Sequence, residues 1–202
     1  MGDCLNMTIP DLPSRDLSRS GQDSPAPFGE PAWRLSRVAA GTAGGLALAG
    51  SVAGSAIYLN RGPDLGPVPG TSSWLPHLGL AVVGVLVLLL VVRRGREGAR
   101  TLLAPLGCQA AARLAATFRT GGRGRMLRRV ASVPFLAIMA FTCWRAGIQV
   151  TAGLDPNFTG NAWGGPTYLG AMFCHYVDCA WMIGVSAALL NLLFVPAHSE
   201  SA

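Results

Sequence analysis

The chain contains no lysine: all 16 of its basic residues are arginine. Alongside the many Ala, Gly and Pro, this matches the codon bias of a GC-rich bacterial genome and sets no physical requirement of its own. Charge is scarce too. Only 13% of residues are Asp, Glu, Lys or Arg, against about a quarter in soluble globular domains, which points to lipid as the solvent for most of the chain. Aromatic residues are few and almost absent from the stretch where the arginines cluster. The net charge of +6 therefore does not describe a nucleic-acid surface, which needs stacking platforms beside its cations. No two of the five cysteines, Cys4, Cys108, Cys143, Cys174 and Cys179, form a CxxC pair. That excludes a secreted disulfide framework and a thiol-oxidising membrane enzyme with paired loop cysteines. There is no nucleotide-binding loop, no HExxH, no GxSxG and no evident inverted repeat.

What the chain does have is apolar sequence in long runs. Half of it is apolar and its mean hydropathy is +0.40. The runs predict an all-α integral membrane protein, a bundle of about four transmembrane helices spanning about 35–59, 74–92, 130–152 and 166–195. Each is long enough to cross a hydrocarbon core that takes roughly 20 residues. Residues 1–34, with scattered Pro, Ser and Asp and no hydrophobic period, read as a disordered tail, and 196–202 as a second, short one. A 35–195 membrane domain lies between them. The first span follows too long a leader to resemble a signal peptide, although Gly54-Ser55-Ala56 would make a passable cleavage site.

Charge asymmetry gives the orientation. The 93–129 segment holds ten of the arginines and a single acidic residue, Glu97, whereas the connection between spans one and two holds only Arg61 and that between spans three and four none. The positive-inside rule places both termini and the Arg-rich loop in the cytoplasm of a bacterial cell, with the bundle a multi-pass protein of the plasma (inner) membrane. Within this loop, Leu103, Leu106, Ala110, Leu114 and Phe118 form one arc of a helix over 102–119, predicting a short amphipathic helix at the interface. Arg93, Arg94, Arg113, Arg119, Arg128 and Arg129 are the candidate contacts to anionic lipid headgroups; the competing reading is that the arginines only prevent translocation. On the outer side, the Gly- and Pro-rich 153–166 connection predicts an ordered loop, with Trp163 and Tyr168 as candidate residues at a pocket mouth.

In the first span Gly41, Gly45, Ala49 and Ala53 recur every fourth residue, and Gly50 and Gly54 make a second such pair. Small residues at this spacing let backbones approach closely. They suit packing within the bundle, or a homo-oligomer or protein partner.

Chemistry is concentrated in the fourth span. His175 lies one helical turn from Asp178 and Cys179, Met182 extends the same face, and Arg145 is the lone charge of the third span. Ionisable groups inside a membrane are expensive and mark functional or helix-joining sites. Three readings stand. His175, Asp178 and Arg145 form a polar face that joins helices, in an accessory or assembly subunit without cofactor or catalysis. Alternatively His175 and Asp178 relay protons in a small proton-coupled transporter. In the third, Cys143, Cys174, His175, Cys179 and Met182 hold a transition metal such as copper or zinc in a redox or metal-handling protein. Arg145 is expected to reach toward Asp178 or toward Asp155. His77, near the outer end of span two, reads as too different in depth from His175 to pair with it around a haem.

Overall fold

The computed structural model describes residues 34–66, 68–70, 73–95, 98, 104–119 and 122–194. The expected tails, and Arg96, Arg100 and Leu103 of the Arg-rich loop, lie outside the described residues. Helices α1 (Arg37–Leu59) and α2 (Trp74–Val92) are followed by a 3-10 turn (Ala104–Leu106), α3 (Cys108–Arg119), α4 (Arg123–Ala152), the single turn α5 (Pro156–Thr159) and α6 (Tyr168–Leu193). Four of them, α1, α2, α4 from Met126 onward, and α6, are long and apolar enough to cross a membrane. The main difference from expectation is at α4. Its helix begins at Arg123 rather than near residue 130, so the last arginines of the loop ride on the first turns of a spanning helix.

Small residues set the closest packing. Gly50 and Gly54 of α1 are buried, and a Cβ on either would overlap backbone carbonyls of Trp144 or Ile148; a Cβ on Gly147 of α4 would overlap the carbonyl of Ala47. The helices run parallel, backbone against backbone, a spacing only glycine permits. Two hydroxyls stitch the seam: Ser51 donates to the Gly147 carbonyl (3.3 Å) and Thr151 to the Ser51 carbonyl (3.1 Å). The other stripe, Gly41, Gly45 and Ala49, is exposed, and a Cβ on Gly41 or Gly45 would meet nothing within 4 Å. Intramolecular packing thus falls to the Gly50/Gly54 pair and not to the longer stripe.

Antiparallel packing of α6 on α4 is marked by Tyr168 and Tyr176, which donate to the Val150 (3.2 Å) and Ala146 (3.3 Å) carbonyls. Helix α2 is exposed along nearly its whole length, with only His77 buried, as lipid contact requires. It leans on α6, to which it runs parallel. Trp74 stacks on Phe173 at 5.5 Å, and Trp181 Nε1 donates to the Leu80 carbonyl (3.2 Å).

The Arg-rich loop folds back on the bundle. Its amphipathic helix exists as α3, beginning at Cys108 after the 3-10 turn, later than the 102–119 expected. Residues 34–36 are tied to its start, Ser36 N donating to Leu106 O (2.7 Å) and Cys108 N to Arg34 O (2.9 Å). Cys108 is disulfide-bonded, whereas Cys143, Cys174 and Cys179 are free thiols.

Several of the arginines assigned to lipid headgroups serve the protein itself. Arg113 donates to the Asn191 side chain and to the Asn191 (2.8 Å) and Phe194 (3.0 Å) carbonyls, and Arg128 to the Leu193 carbonyl (3.3 Å). These carbonyls end α6, where a helix leaves acceptors unpaired and carries partial negative charge. Arg129 Nε donates to the Thr117 carbonyl (2.8 Å). Arg93 and Arg94 close the end of α2 through their backbone N–H groups, and Arg93, Arg94, Arg119 and Arg128 remain exposed. Arg113→Ala is expected to lower stability by about 1 kcal/mol, because it removes a charged donor from three acceptors at the end of α6. Arg113→Lys recovers only part of that loss, since an ammonium cannot reproduce the guanidinium fork. Thermal unfolding in detergent measures both.

Candidate functional site

On the side of the bundle opposite α3, the connections between spans lock together. Asn157 receives the Leu65 N–H (2.9 Å) and donates to the Pro63 carbonyl (3.0 Å), while Val68 N donates to Gly160 O (2.9 Å) and Ser73 N to Trp163 O (2.6 Å). Asp155, whose carboxylate accepts from Asn157 N (3.0 Å), caps α5 beneath them. The 153–166 connection is therefore ordered as expected, and the Asn157 amide of the Asn-Phe-Thr sequon is occupied as a structural clamp.

Under this roof is a cavity of about 590 Å³, within the range of small-molecule sites. Its polar lining comes from Arg145 and Gln149 of α4, His175 and Asp178 of α6, and Asn161 of the roof; Phe141, Phe158, Trp163, Trp181 and Met182 supply its apolar walls. His175, Asp178 and Arg145, the residues singled out in sequence, thus share one site. Trp163 lines it as expected. Tyr168 does not: it packs on the cluster of Ala162, Ala171 and Met172 with its hydroxyl on Val150.

Arg145 reaches neither Asp178 nor Asp155 through a hydrogen bond. Its guanidinium donates to His175 Nδ1 at 3.0 Å. Arginine has no acceptor, so His175 Nδ1 must be the lone-pair nitrogen, and the ring is neutral with its proton on Nε2.

The partner of Asp178 is His77, whose Nε2 lies 3.3 Å from Asp178 Oδ1. Counting residues from the start of each span failed here. Helix α6 begins more than a turn outside α2, so the third residue past Trp74 sits level with the tenth past Tyr168, a stagger fixed by the Trp74–Phe173 stack. A histidine inside a span was the available signal for His77; the missing information was the relative height of two helices.

The other side of the His77 ring determines the chemistry of the pair. Nδ1 lies 2.8 Å from the Ser73 carbonyl, which can only accept, so Nδ1 carries hydrogen. Nε2 and Oδ1 are then two lone-pair atoms unless one proton lies between them. Neutral imidazole with carboxylic acid, and imidazolium with carboxylate, are the two ways to place it. His77 is 4% exposed, with its ring tilted against Trp163 at 5.4 Å, while the Asp178 side chain is 28% exposed toward the cavity. One wall is incompletely paired. Gln149 is 2% exposed, and its amide oxygen is buried without a hydrogen-bond partner.

The residues considered as metal ligands do not gather. His175 and Met182 line the cavity, whereas Cys174 and Cys179 are buried away from it, Cys143 is half-buried, and Met182 sulfur faces the Thr142 hydroxyl at 4.0 Å. Among the described residues no group of three or more His, Cys, Asp or Glu is placed to hold a metal ion. Family models, curated proteins and solved structures contain no match to this chain.

Proposed function

We propose that the protein is a small, non-enzymatic, proton-coupled membrane carrier whose cavity exchanges one proton at the His77–Asp178 pair. The observation that carries this reading is the 3.3 Å His77–Asp178 contact combined with the Ser73 carbonyl on the far ring nitrogen, which together define a one-proton site bordering an open cavity. The open cavity and the incompletely paired wall favour this reading over that of an accessory subunit.

The groups facing Asp178 are His77 from α2, Arg145 from α4, and His175, Cys174 and Cys179 of its own helix. With Arg145 charged and His175 neutral, the site carries +1 when the pair holds its proton and 0 when it does not. A single proton therefore sets the charge presented to a solute.

We place the protein in a bacterial inner membrane with the α3 side cytoplasmic, on the strength of ten arginines between α2 and the body of α4. The disulfide at Cys108 argues the other way, because the cytosol keeps thiols reduced. The arginine asymmetry is the broader signal.

Infrared difference spectra recorded across a pH titration test the proton site. The expected result is one titrating proton, seen either as an Asp178 carboxylic-acid C=O band or as His77 imidazolium ring bands, lost in Asp178→Asn and displaced in His77→Gln. A spectrum in which neither Asp178 nor His77 titrates would overturn the proposal.

A further inference from the structure

The cavity also carries information about what occupies it. Resting on the proton-site reading, we propose that the cavity binds a small organic monocarboxylate bearing a neighbouring hydroxyl, that is, a 2-hydroxycarboxylate with an apolar or aromatic body.

Three features of the walls select this class. The first is charge. Arg145 lines the cavity, and only one of its donors goes to His175. His175 Nε2–H is a second donor from the same side. A planar, two-oxygen anion matches an arginine fork, and the +1 site becomes neutral when a single carboxylate enters. The second is the unpartnered amide oxygen of Gln149, one helical turn from Arg145 on the same wall. A buried acceptor left unpaired is costly, and a ligand hydroxyl close to the carboxylate is a donor that meets it. The third is the remaining surface. Phe158, Trp163 and Trp181 accept an apolar body, and 590 Å³ is ample for a ring-bearing acid of this size.

An ammonium in place of the hydroxyl would also satisfy Gln149 but would leave the site positively charged in a low-dielectric setting. The hydroxy acid is therefore favoured over the amino acid.

Four small aromatic probes separate the contributions: mandelate, benzoate, phenylglycine and benzyl alcohol, titrated into the detergent-purified full chain with Trp fluorescence and calorimetry as readouts. Mandelate is expected to bind tightest, with benzoate and phenylglycine each weaker by about fivefold or more and benzyl alcohol silent. Arg145→Gln should weaken mandelate and benzoate alike, by about tenfold or more. Gln149→Leu should erase the preference for mandelate over benzoate while raising the unfolding temperature of the ligand-free protein, because it removes an unpaired buried acceptor. This variant guards against a misfolding artefact. Benzyl alcohol binding as well as mandelate, phenylglycine binding more tightly, or no carboxylate binding at all would overturn the assignment. The infrared titration of the His77–Asp178 pair is read without ligand, so failure here and failure of the proton site are distinguishable.

Discussion

Asp178→Asn is expected to leave the protein folded and to abolish its response to pH. The asparagine amide can donate to His77 Nε2, keeping the hydrogen bond across α2 and α6 while removing the group that shares a proton with it. The unfolding temperature should stay near that of the parent. Asp178→Leu is the contrasting variant. It leaves a buried imidazole nitrogen without a partner, at a cost of about 1–3 kcal/mol.

The pH response follows from charge. In the parent protein an anion prefers the +1 site over the neutral one, so binding takes up a proton whenever the pair has lost its own. Affinity is full at low pH and falls as pH rises through the titration of the pair, by about tenfold per pH unit beyond it. In Asp178→Asn that slope should be flat. A parent protein whose mandelate affinity is independent of pH, with Asp178→Asn no different, would sink proton coupling even if the acid binds. If the proton rests on His77, a second readout comes from Trp163, whose emission is quenched more by imidazolium than by the neutral ring beside it. Trp163→Phe should remove that component.

Gly147→Val is expected to be among the most damaging substitutions in the bundle. The atoms that a Cβ at position 147 would overlap are the backbone carbonyl of Ala47 and its neighbours, not the end of a flexible side chain. Nothing can rotate away, so α1 and α4 must separate, which also breaks the Ser51–Gly147 and Thr151–Ser51 hydrogen bonds. Overpacking costs about 1–3 kcal/mol where side chains can adjust, and the loss here should exceed that range. Gly45→Val is the control: a Cβ there meets nothing within 4 Å, and its melting temperature should be unchanged. Thermal unfolding in detergent compares the two. Equal stabilities would mean that α1 is not seated on α4 through its glycines.

The contrast between these glycines shows what was legible in the sequence. Spacing alone marked both stripes of α1 as close-packing surfaces, but not which one faces α4; that depends on a neighbour whose rotation about its axis leaves no trace in apolar periodicity when lipid and protein are equally apolar. The four spans were legible because hydrocarbon thickness sets helix length, and the amphipathic α3 because one of its faces is polar. At the site, His175, Asp178 and Arg145 were visible as ionisable groups where such groups are expensive. Their pairing was not visible, since it depends on the stagger of α2 against α6. The arginines were legible as a topology signal, but sequence offered no means of knowing that Arg113 and Arg128 would terminate α6.

Helix α2 gives the His77–Asp178 pair a mechanical meaning. It is the span most open to lipid, and it is held mainly by α6, through an aromatic stack, one indole hydrogen bond and the shared proton. Its upper end is pinned to the roof by Ser73 and Trp163. With so few points of attachment, a single hydrogen bond is a large fraction of what keeps α2 against the bundle. On the proposed reading, the proton that sets the charge of the cavity would also act as a latch on the wall that encloses it, and the span with the least anchoring is the one that losing it would free.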